Sequence, residues 1–365
     1  MILPASYAPE WIREKRNAYP KNPPNPTIME KVIYALSLVE QLAQTDLSFT
    51  FKGGTSLLLI LPEPKRFSID VDIVTTKSRE TIEAVLTGIC TGSIFSKFEL
   101  DEGRSYQPGI PKAHYKLTFF SQWDKKEQWI LLDILFEEHG YPALVQAPIL
   151  NEWIQTDKRL VTVQIPSADS ISGDKLTAYA PNTVGIRFRV EHANGGVTEK
   201  QMEVMKQLFD IGILFDRITN LDHLRQSFTT TAQKEIAYRG EKHITIEAVL
   251  NDIINTSLMI GSLGKFCDPN GEFQHISKGM TQLKSYIYNG AFRLDDAVVA
   301  SSKAAYLAAI ILTGYEGDIK RWQSNDDITK YTIASIEYQF LNRRRNIPGA
   351  PLFYWHQALS LSGKL

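Results

Sequence analysis

Two carboxylates placed two residues apart, Asp70 and Asp72, have the clearest chemical potential in this sequence. Apolar residues alternate with them across residues 66–74, and this alternation predicts a β-strand. On a strand, side chains two apart point to the same face, about 6.6 Å apart along the chain. Two carboxylates this close repel each other unless a cation lies between them. The pair therefore predicts a site for Mg²⁺ or Mn²⁺, of the kind that serves phosphoryl or nucleotidyl transfer.

A glycine pair precedes these acids. Gly53 and Gly54, followed by Thr55, open an apolar stretch that is predicted to be helical as far as residue 60. Backbone N–H groups at a turn and at a helix N-terminus bind phosphate, and glycine lets the phosphate approach closely. We therefore expect Gly53, Gly54 and Thr55 to bind the phosphates of a nucleoside triphosphate.

Two further charged residues fit the same chemistry. Asp133 interrupts an apolar strand predicted over residues 128–136, where a lone buried carboxylate is costly unless it is paired or binds a metal. We expect Asp133 to be the third metal ligand or the general base, and pairing with an arginine remains the alternative. Lys175, on a helix predicted over residues 169–179, is expected to neutralise the β- and γ-phosphates.

Composition excludes several classes of protein. The 365 residues carry a net charge of −1, so a nucleic-acid partner would be held by a local patch. The only two cysteines, Cys90 and Cys267, are far apart, which argues against a disulfide scaffold and indicates a reducing, cytoplasmic location. No run of 18 apolar residues occurs, so no membrane span is expected.

The order of predicted elements divides the chain into three parts. Residues 1–26 end in a proline-rich stretch and are expected to form an extended lead-in. Residues 27–180 mix helices and strands, which predicts an α/β or α+β domain with a mixed sheet flanked by helices. Residues 181–365 begin with a glycine- and asparagine-rich segment at 181–198 and are expected to form a mostly helical domain. Helices are expected at 199–215, 221–237, 246–259, 280–289, 294–314 and 329–342.

Two motifs resemble a known family. Residues 52–57 (Lys-Gly-Gly-Thr-Ser-Leu) and 66–72 (Arg-Phe-Ser-Ile-Asp-Val-Asp) resemble the AbiEii/AbiGii-type, MenT-like nucleotidyltransferase toxins of the DNA polymerase β-like superfamily. Residues 165–167 and 174–178 resemble a further family motif. In residues 206–211, Gln207 replaces an expected acid whereas Asp210 is kept. The resemblance covers about residues 45–215.

The resemblance implies a nucleotidyltransferase fold and Mg²⁺-dependent transfer of a nucleotide from an NTP to an acceptor. By position, it implies that Asp70 and Asp72 hold the metal ions and that Lys175 and Asp210 complete the nucleotide site. Several relatives modify tRNA 3′ ends as toxins of type IV-like toxin–antitoxin or phage-defence pairs. A tRNA or other RNA acceptor and a cognate antitoxin are therefore the expected partners.

Three residues within these motifs join the expected nucleotide-binding set. Arg66 and Ser68 share the strand face of the two acids, and Lys52 directly precedes the glycine pair. Arg66 can pair with an acid or reach a phosphate. Ser68 occupies a position that is a regulatory phosphorylation site in some relatives.

Two alternatives stay open. The acceptor is a small molecule or a protein in other enzymes of this superfamily. A catalytically silent protein that holds RNA or a protein partner is the other alternative. Gln207 favours the silent protein, whereas the presence of Asp70, Asp72, Asp133 and Lys175 opposes it.

Overall fold

The computed structural model describes residues 1–105, 109–192, 195–241 and 243–365. The chain forms two compact units. The sheet unit comprises residues 1–167 and 285–291, and the helical unit comprises residues 168–284 and 292–365. The division thus lies after residue 167 rather than after residue 180. Part of the expected boundary segment, residues 193–194, lies outside the described residues.

A five-stranded mixed sheet forms the centre of the sheet unit, with the strand order β1-β2-β5-β4-β3. Strand β2 runs parallel to β5, and the other neighbours are antiparallel. The strands are β1 (Thr50–Lys52), β2 (Val71–Val74), β3 (Phe95–Leu100), β4 (Lys112–Phe120) and β5 (Glu127–Leu135). A separate antiparallel pair consists of β6 (Leu144–Pro148) and β7 (Thr162–Pro166).

One face of the sheet is packed into the core. Ile130, Leu132 and Ile134 alternate along β5 and are buried, and they share a core with helix α2. The helices of this unit are α1 (Pro9–Asn17), α2 (Pro26–Ala43), α3 (Gly53–Ile60), α4 (Arg79–Cys90) and the four-residue α5 (Glu102–Ser105). The expected mixed sheet flanked by helices is confirmed, and its opposite face carries the polar residues described below.

The expectation of an extended lead-in over residues 1–26 is wrong. Residues Pro4–Tyr7 form a 3-10 turn, and α1 begins at Pro9, since a proline is well tolerated in the first turn of a helix. Ile12 is completely buried, and the Trp11 indole N–H donates to the Trp153 carbonyl at 2.9 Å. The later prolines delay only the start of α2.

The strand expected over residues 66–74 is shorter, because β2 begins at Val71. The preceding backbone is bonded elsewhere. Arg66 forms an isolated bridge with Ile287, and the Phe67 N–H donates to the Tyr286 carbonyl at 2.8 Å. Asp72 therefore lies within the strand, whereas Asp70 lies just before it.

The helical unit is built around the long, almost completely buried helix α11 (Leu294–Leu312), which packs against α7, α9 and α12. A short hairpin of β8 (Arg189–Glu191) and β9 (Val197–Glu199) precedes these helices. The others are α6 (Ala168–Ala178), α7 (Gln201–Leu214), α8 (Leu221–Arg239), α9 (Ile246–Ser262), α10 (Phe273–Leu283) and α12 (Pro351–Leu361).

Helix α6 shows why the division falls before residue 168. It packs directly on α8, where a Cβ atom on Gly173 would lie 2.7 Å from the Leu224 carbonyl oxygen. The Ser227 hydroxyl donates to the Ser170 carbonyl at 2.6 Å. These contacts assign α6, and with it Lys175, to the helical unit.

Two expected helices are wrong. Helix α10 ends at Leu283, and residues 285–291 belong to the sheet unit because their backbone bonds to Lys65 and Phe67. Residues 329–342 contain two 3-10 segments, Ile328–Tyr331 and Gln339–Arg344. The Asn342 side chain bonds both the N–H and the carbonyl of Ile333, which holds the loop between these segments in place of helix bonds.

Candidate active site

Asp72 and Asp133 lie side by side on the partly exposed face of the sheet. Asp72 on β2 is in register with Lys52 on β1 and with Asp133 on β5, and Asp133 is in register with His114 on β4. Neighbouring strands are about 4.8 Å apart, and partners in register point to the same face. The four side chains therefore form a row across the sheet, with the two carboxylates at its centre.

The glycine turn presses against this row. Helix α3 begins at Gly53, whose φ of +76° favours glycine. A Cβ atom on Gly53 would lie 2.7 Å from Asp72 Cγ, closer than packing permits. The turn therefore places the backbone N–H groups at the start of α3 directly beside the Asp72 carboxylate. The first N–H groups of a helix have no partner within the helix, so they are suited to bind phosphate.

Arg66 and Ser68 lie beside the second glycine of the turn. A Cβ atom on Gly54 would lie 2.7 Å from the Ser68 hydroxyl oxygen and 3.0 Å from Arg66 Nη2. Both side chains are buried, and Arg66 Nη1 donates to the Phe67 carbonyl at 2.9 Å. The structure thus brings a guanidinium and a hydroxyl group to the expected phosphate position.

Thr55 ties the turn to the first acid. Its hydroxyl donates to the Asp70 carbonyl at 2.5 Å, and the Ser56 hydroxyl donates to the Gly53 carbonyl at 2.9 Å. The Thr55 hydroxyl therefore positions the backbone of Asp70, so that a phosphate contact from Thr55 would come from its backbone N–H.

Asp133 has two cationic or polar partners that the sequence did not single out. His114 Nδ1 lies 2.6 Å from Asp133 Oδ1, and Arg104 Nη2 lies 3.4 Å from Asp133 Oδ2. Asp133 therefore does pair with an arginine, which was the alternative to a metal ligand or general base, although the Arg104 side chain is 47% exposed. His114 could have been found only from its register with Asp133, because a single histidine in a strand gives no signal by itself.

Lys175 and Asp210 are brought together within the helical unit. Lys175 Nζ on α6 lies 2.9 Å from Asp210 Oδ2 on α7, and the two side chains are only 7% and 2% exposed. An ion pair this deeply buried requires both partners, because either charge alone would be costly. The lysine and the acid that the family motifs select are thus direct partners.

The donor chemistry of the sheet face fits a divalent cation. Among the described residues, no three His, Cys, Asp or Glu side chains are grouped in an arrangement that could hold a metal ion. The adjacent carboxylates of Asp72 and Asp133 nevertheless carry oxygen atoms of the kind that Mg²⁺ prefers as ligands. The absence of a Cβ atom on Gly53 lets the turn pack against the Asp72 carboxylate.

A mixed sheet flanked by helices, with a glycine turn against paired acids, defines a nucleotidyltransferase. The sequence matches the family model "Nucleotidyl transferase AbiEii toxin, Type IV TA system" over residues 37–280. The chain therefore belongs to the AbiEii family of nucleotidyltransferase toxins of type IV toxin–antitoxin systems, and it is an enzyme of this class.

Solved structures of other proteins are similar to the chain, among them the following two. JHP933 from Helicobacter pylori has 17% identity and a TM-score of 0.40, covering 79% of this chain and 91% of its own. An antigenic nucleotidyltransferase-like protein from Paracoccidioides brasiliensis has 13% identity and a TM-score of 0.35, covering 60% and 93%. No curated protein matches the sequence significantly. Within the described residues, every helix is too short or too polar to cross a membrane.

The contact between Gly53 and Asp72 gives a first testable prediction. Gly53→Ala should lower nucleotide transfer by about 100-fold, because the new methyl group displaces the Asp72 carboxylate by more than an ångström. Strain at positive φ should also lower the free energy of unfolding by about 1–2 kcal/mol. Transfer of label from an NTP and urea unfolding measure the two effects.

Gly92→Ala is the matched control. Gly92 also has positive φ, at +89°, but a Cβ atom there would meet nothing within 4 Å. The Gly92→Ala variant should have the same backbone strain as Gly53→Ala but should keep the wild-type transfer activity. Wild-type transfer by Gly53→Ala would show that the turn does not position the acid.

Proposed function

We propose that this protein transfers a nucleoside monophosphate from an NTP to the 3′ end of a tRNA or another RNA. One observation carries the proposal: Asp72 and Asp133 are in register on neighbouring strands, and Gly53 packs against Asp72. This arrangement would place a triphosphate and divalent cations at the same edge of the sheet. Family membership supplies the toxin context.

Several residues of the sheet unit are proposed to bind the triphosphate. The N–H groups of Gly53, Gly54 and Thr55 would hold the triphosphate, with Arg66 and Ser68 beside the turn supplying charge and a hydrogen bond. Lys52, in register with Asp72, places a further cation at the same position. Together they orient the α-phosphate and offset its negative charge.

The carboxylates would hold the cations. Asp70 and Asp72 are the proposed ligands of Mg²⁺ or Mn²⁺, and Asp133 is the proposed third ligand or general base. When bound, the cation supplies charge neutralisation at the α-phosphate and at the departing pyrophosphate. The acceptor hydroxyl forms the new bond to the α-phosphorus as the bond to pyrophosphate breaks, and its proton passes to a carboxylate or to water.

Lys175 and Asp210 are the remaining residues that the family motifs select. We assign Lys175 to the nucleotide phosphates and Asp210 to the orientation of Lys175, on the basis of their 2.9 Å ion pair and the family motifs. The proposed setting is the cytoplasm, in a toxin–antitoxin or phage-defence pair, with a cognate antitoxin protein as partner.

Acceptor labelling tests this function. The full-length protein, Mg²⁺ and each of the four α-³²P-labelled NTPs are incubated with total tRNA, with periodate-oxidised tRNA, with a mixture of small molecules, or with protein alone. We expect label on tRNA and none on the oxidised sample, because oxidation destroys the 3′-terminal hydroxyl groups. Label found only on protein or on a small molecule would contradict the RNA acceptor and identify the alternative.

A further inference from the structure

His114 lies at one end of the row of site residues, next to Asp133, and has no role in the mechanism given so far. We propose that His114 is a positioning residue that holds the Asp133 carboxylate by one oxygen and leaves the other for the divalent cation. The inference rests on the proposed function, since it takes Asp133 to be part of the cation site.

The hydrogen bond between His114 and Asp133 is short and shielded. His114 Nδ1 lies 2.6 Å from Asp133 Oδ1, and the histidine side chain is 12% exposed. An ionised carboxylate only accepts hydrogen bonds, so Nδ1 must be the donor. The other ring nitrogen, Nε2, is buried and has no hydrogen-bond partner among the described residues. Within that part of the chain, the ring therefore makes its single hydrogen bond to Asp133.

The backbone of His114 is fixed on both sides. Its N–H donates to the Ser105 hydroxyl at 2.9 Å, and its carbonyl accepts from the Asp101 N–H at 2.7 Å. The residue also lies inside β4, in register with Asp133 on β5. A ring on a rigid strand can fix the rotamer of a neighbouring carboxylate, whereas a ring on a loop could not do so reliably.

The second oxygen of Asp133 is held much more weakly. Arg104 Nη2 lies 3.4 Å from Oδ2, beyond the usual hydrogen-bond length, and the arginine is 47% exposed. Water and salt screen such a contact, so it contributes little. The carboxylate is thus anchored at Oδ1 and exchangeable at Oδ2, where a cation can replace the guanidinium.

Removing the anchor should release Asp133. Hydrogen-bond partners of ligating carboxylates orient them, and losing such a partner typically costs about 10- to 100-fold in metal affinity. Without His114, Asp133 can turn both oxygens towards Arg104. Arg104 itself competes with the cation, so its removal should have the opposite effect.

A titration of the full-length protein with Mn²⁺ in the absence of NTP tests the inference. The electron paramagnetic resonance signal of unbound Mn²⁺ measures how much of the ion has bound. We expect His114→Ala to weaken Mn²⁺ binding by about 10- to 100-fold. His114→Asn should restore most of the affinity, because an asparagine amide nitrogen occupies the place of Nδ1, whereas His114→Gln should not. Arg104→Ala should bind Mn²⁺ as tightly as the wild type or more tightly.

The variants separate positioning from general damage. A structural defect would weaken His114→Asn and His114→Gln alike, and that result would overturn the inference. Wild-type Mn²⁺ affinity in His114→Ala would also overturn the inference, provided that Asp72→Asn abolishes Mn²⁺ binding. In that case the proposed function would stand. Undiminished Mn²⁺ binding by Asp72→Asn would instead overturn the cation site and the inference together. If His114→Ala does not fold, the comparison of His114→Asn with His114→Gln decides whether the inference holds.

Discussion

Asp72→Asn is expected to lower nucleotide transfer by at least about 1,000-fold, the equivalent of the several kcal/mol that a cation bound at this position contributes. Asparagine keeps the shape of the side chain but loses the negative charge. Asp72 is half-buried on β2 between Lys52 and Asp133. The change should leave the strand register and the thermal unfolding midpoint nearly unaltered. The neutral side chain relieves the repulsion between the carboxylates of Asp72 and Asp133, although a cation ligand is lost.

Transfer of label from an NTP, thermal unfolding and growth of cells that express the variant measure this prediction. Glu99→Gln is the control, because Glu99 lies on β3 and pairs with Lys97 at 3.4 Å, away from the row of site residues. Glu99→Gln should keep both the transfer activity and the effect on growth of the wild type. Transfer by Asp72→Asn within tenfold of the wild-type rate would exclude Asp72 as an essential cation ligand.

Asp210→Ala is expected to lower the free energy of unfolding by about 3–5 kcal/mol, because it leaves the Lys175 ammonium buried and unpaired. The two side chains are 2% and 7% exposed, so water cannot easily replace the lost carboxylate. The double variant Lys175→Met, Asp210→Leu should recover most of the lost stability, since well-packed apolar residues often replace a buried ion pair without cost.

The same double variant separates stability from catalysis. If Lys175 neutralises the nucleotide phosphates as proposed, the folded double variant should remain inactive, with a higher KM for the NTP wherever residual transfer is measurable. Urea unfolding and label transfer are the two measurements. Wild-type transfer in a stable double variant would assign the ion pair to folding alone.

Local sequence patterns predicted the site acids because each pattern depends on few residues. The nearly continuous apolar run around Asp133 predicted a strand with one acid inside it, and β5 spans Glu127–Leu135. The glycine pair predicted a turn before a helix, and α3 begins at Gly53. What the patterns could not provide was the register between strands distant in sequence, which places Asp72 on one side of Asp133 and His114 on the other.

The wrong predictions share a cause in tertiary contacts. Residues 66–70 have the alternation of a strand, but their backbone bonds to residues 286–288 and to Thr55 instead of to the sheet. Residues 280–289 have helical periodicity, yet the second half of that segment is taken up by the sheet unit. In both places a long-range hydrogen bond outweighs the local preference, which the sequence pattern alone cannot reveal.

Residues 285–291 make the sheet unit discontinuous, and this has a consequence for proteolysis. The ring of Tyr288 lies 4.4 Å from that of Phe67 and 4.7 Å from that of Trp153, and Tyr286 supplies the backbone acceptor of Phe67. A protease that removed everything after residue 284 would therefore take away the support of the loop leading to Asp70 and Asp72. A single cut after residue 284, distant in sequence from Asp70, Asp72 and Asp133, should therefore lower the activity, whereas a cut after residue 291 would leave every residue of the sheet unit on one fragment.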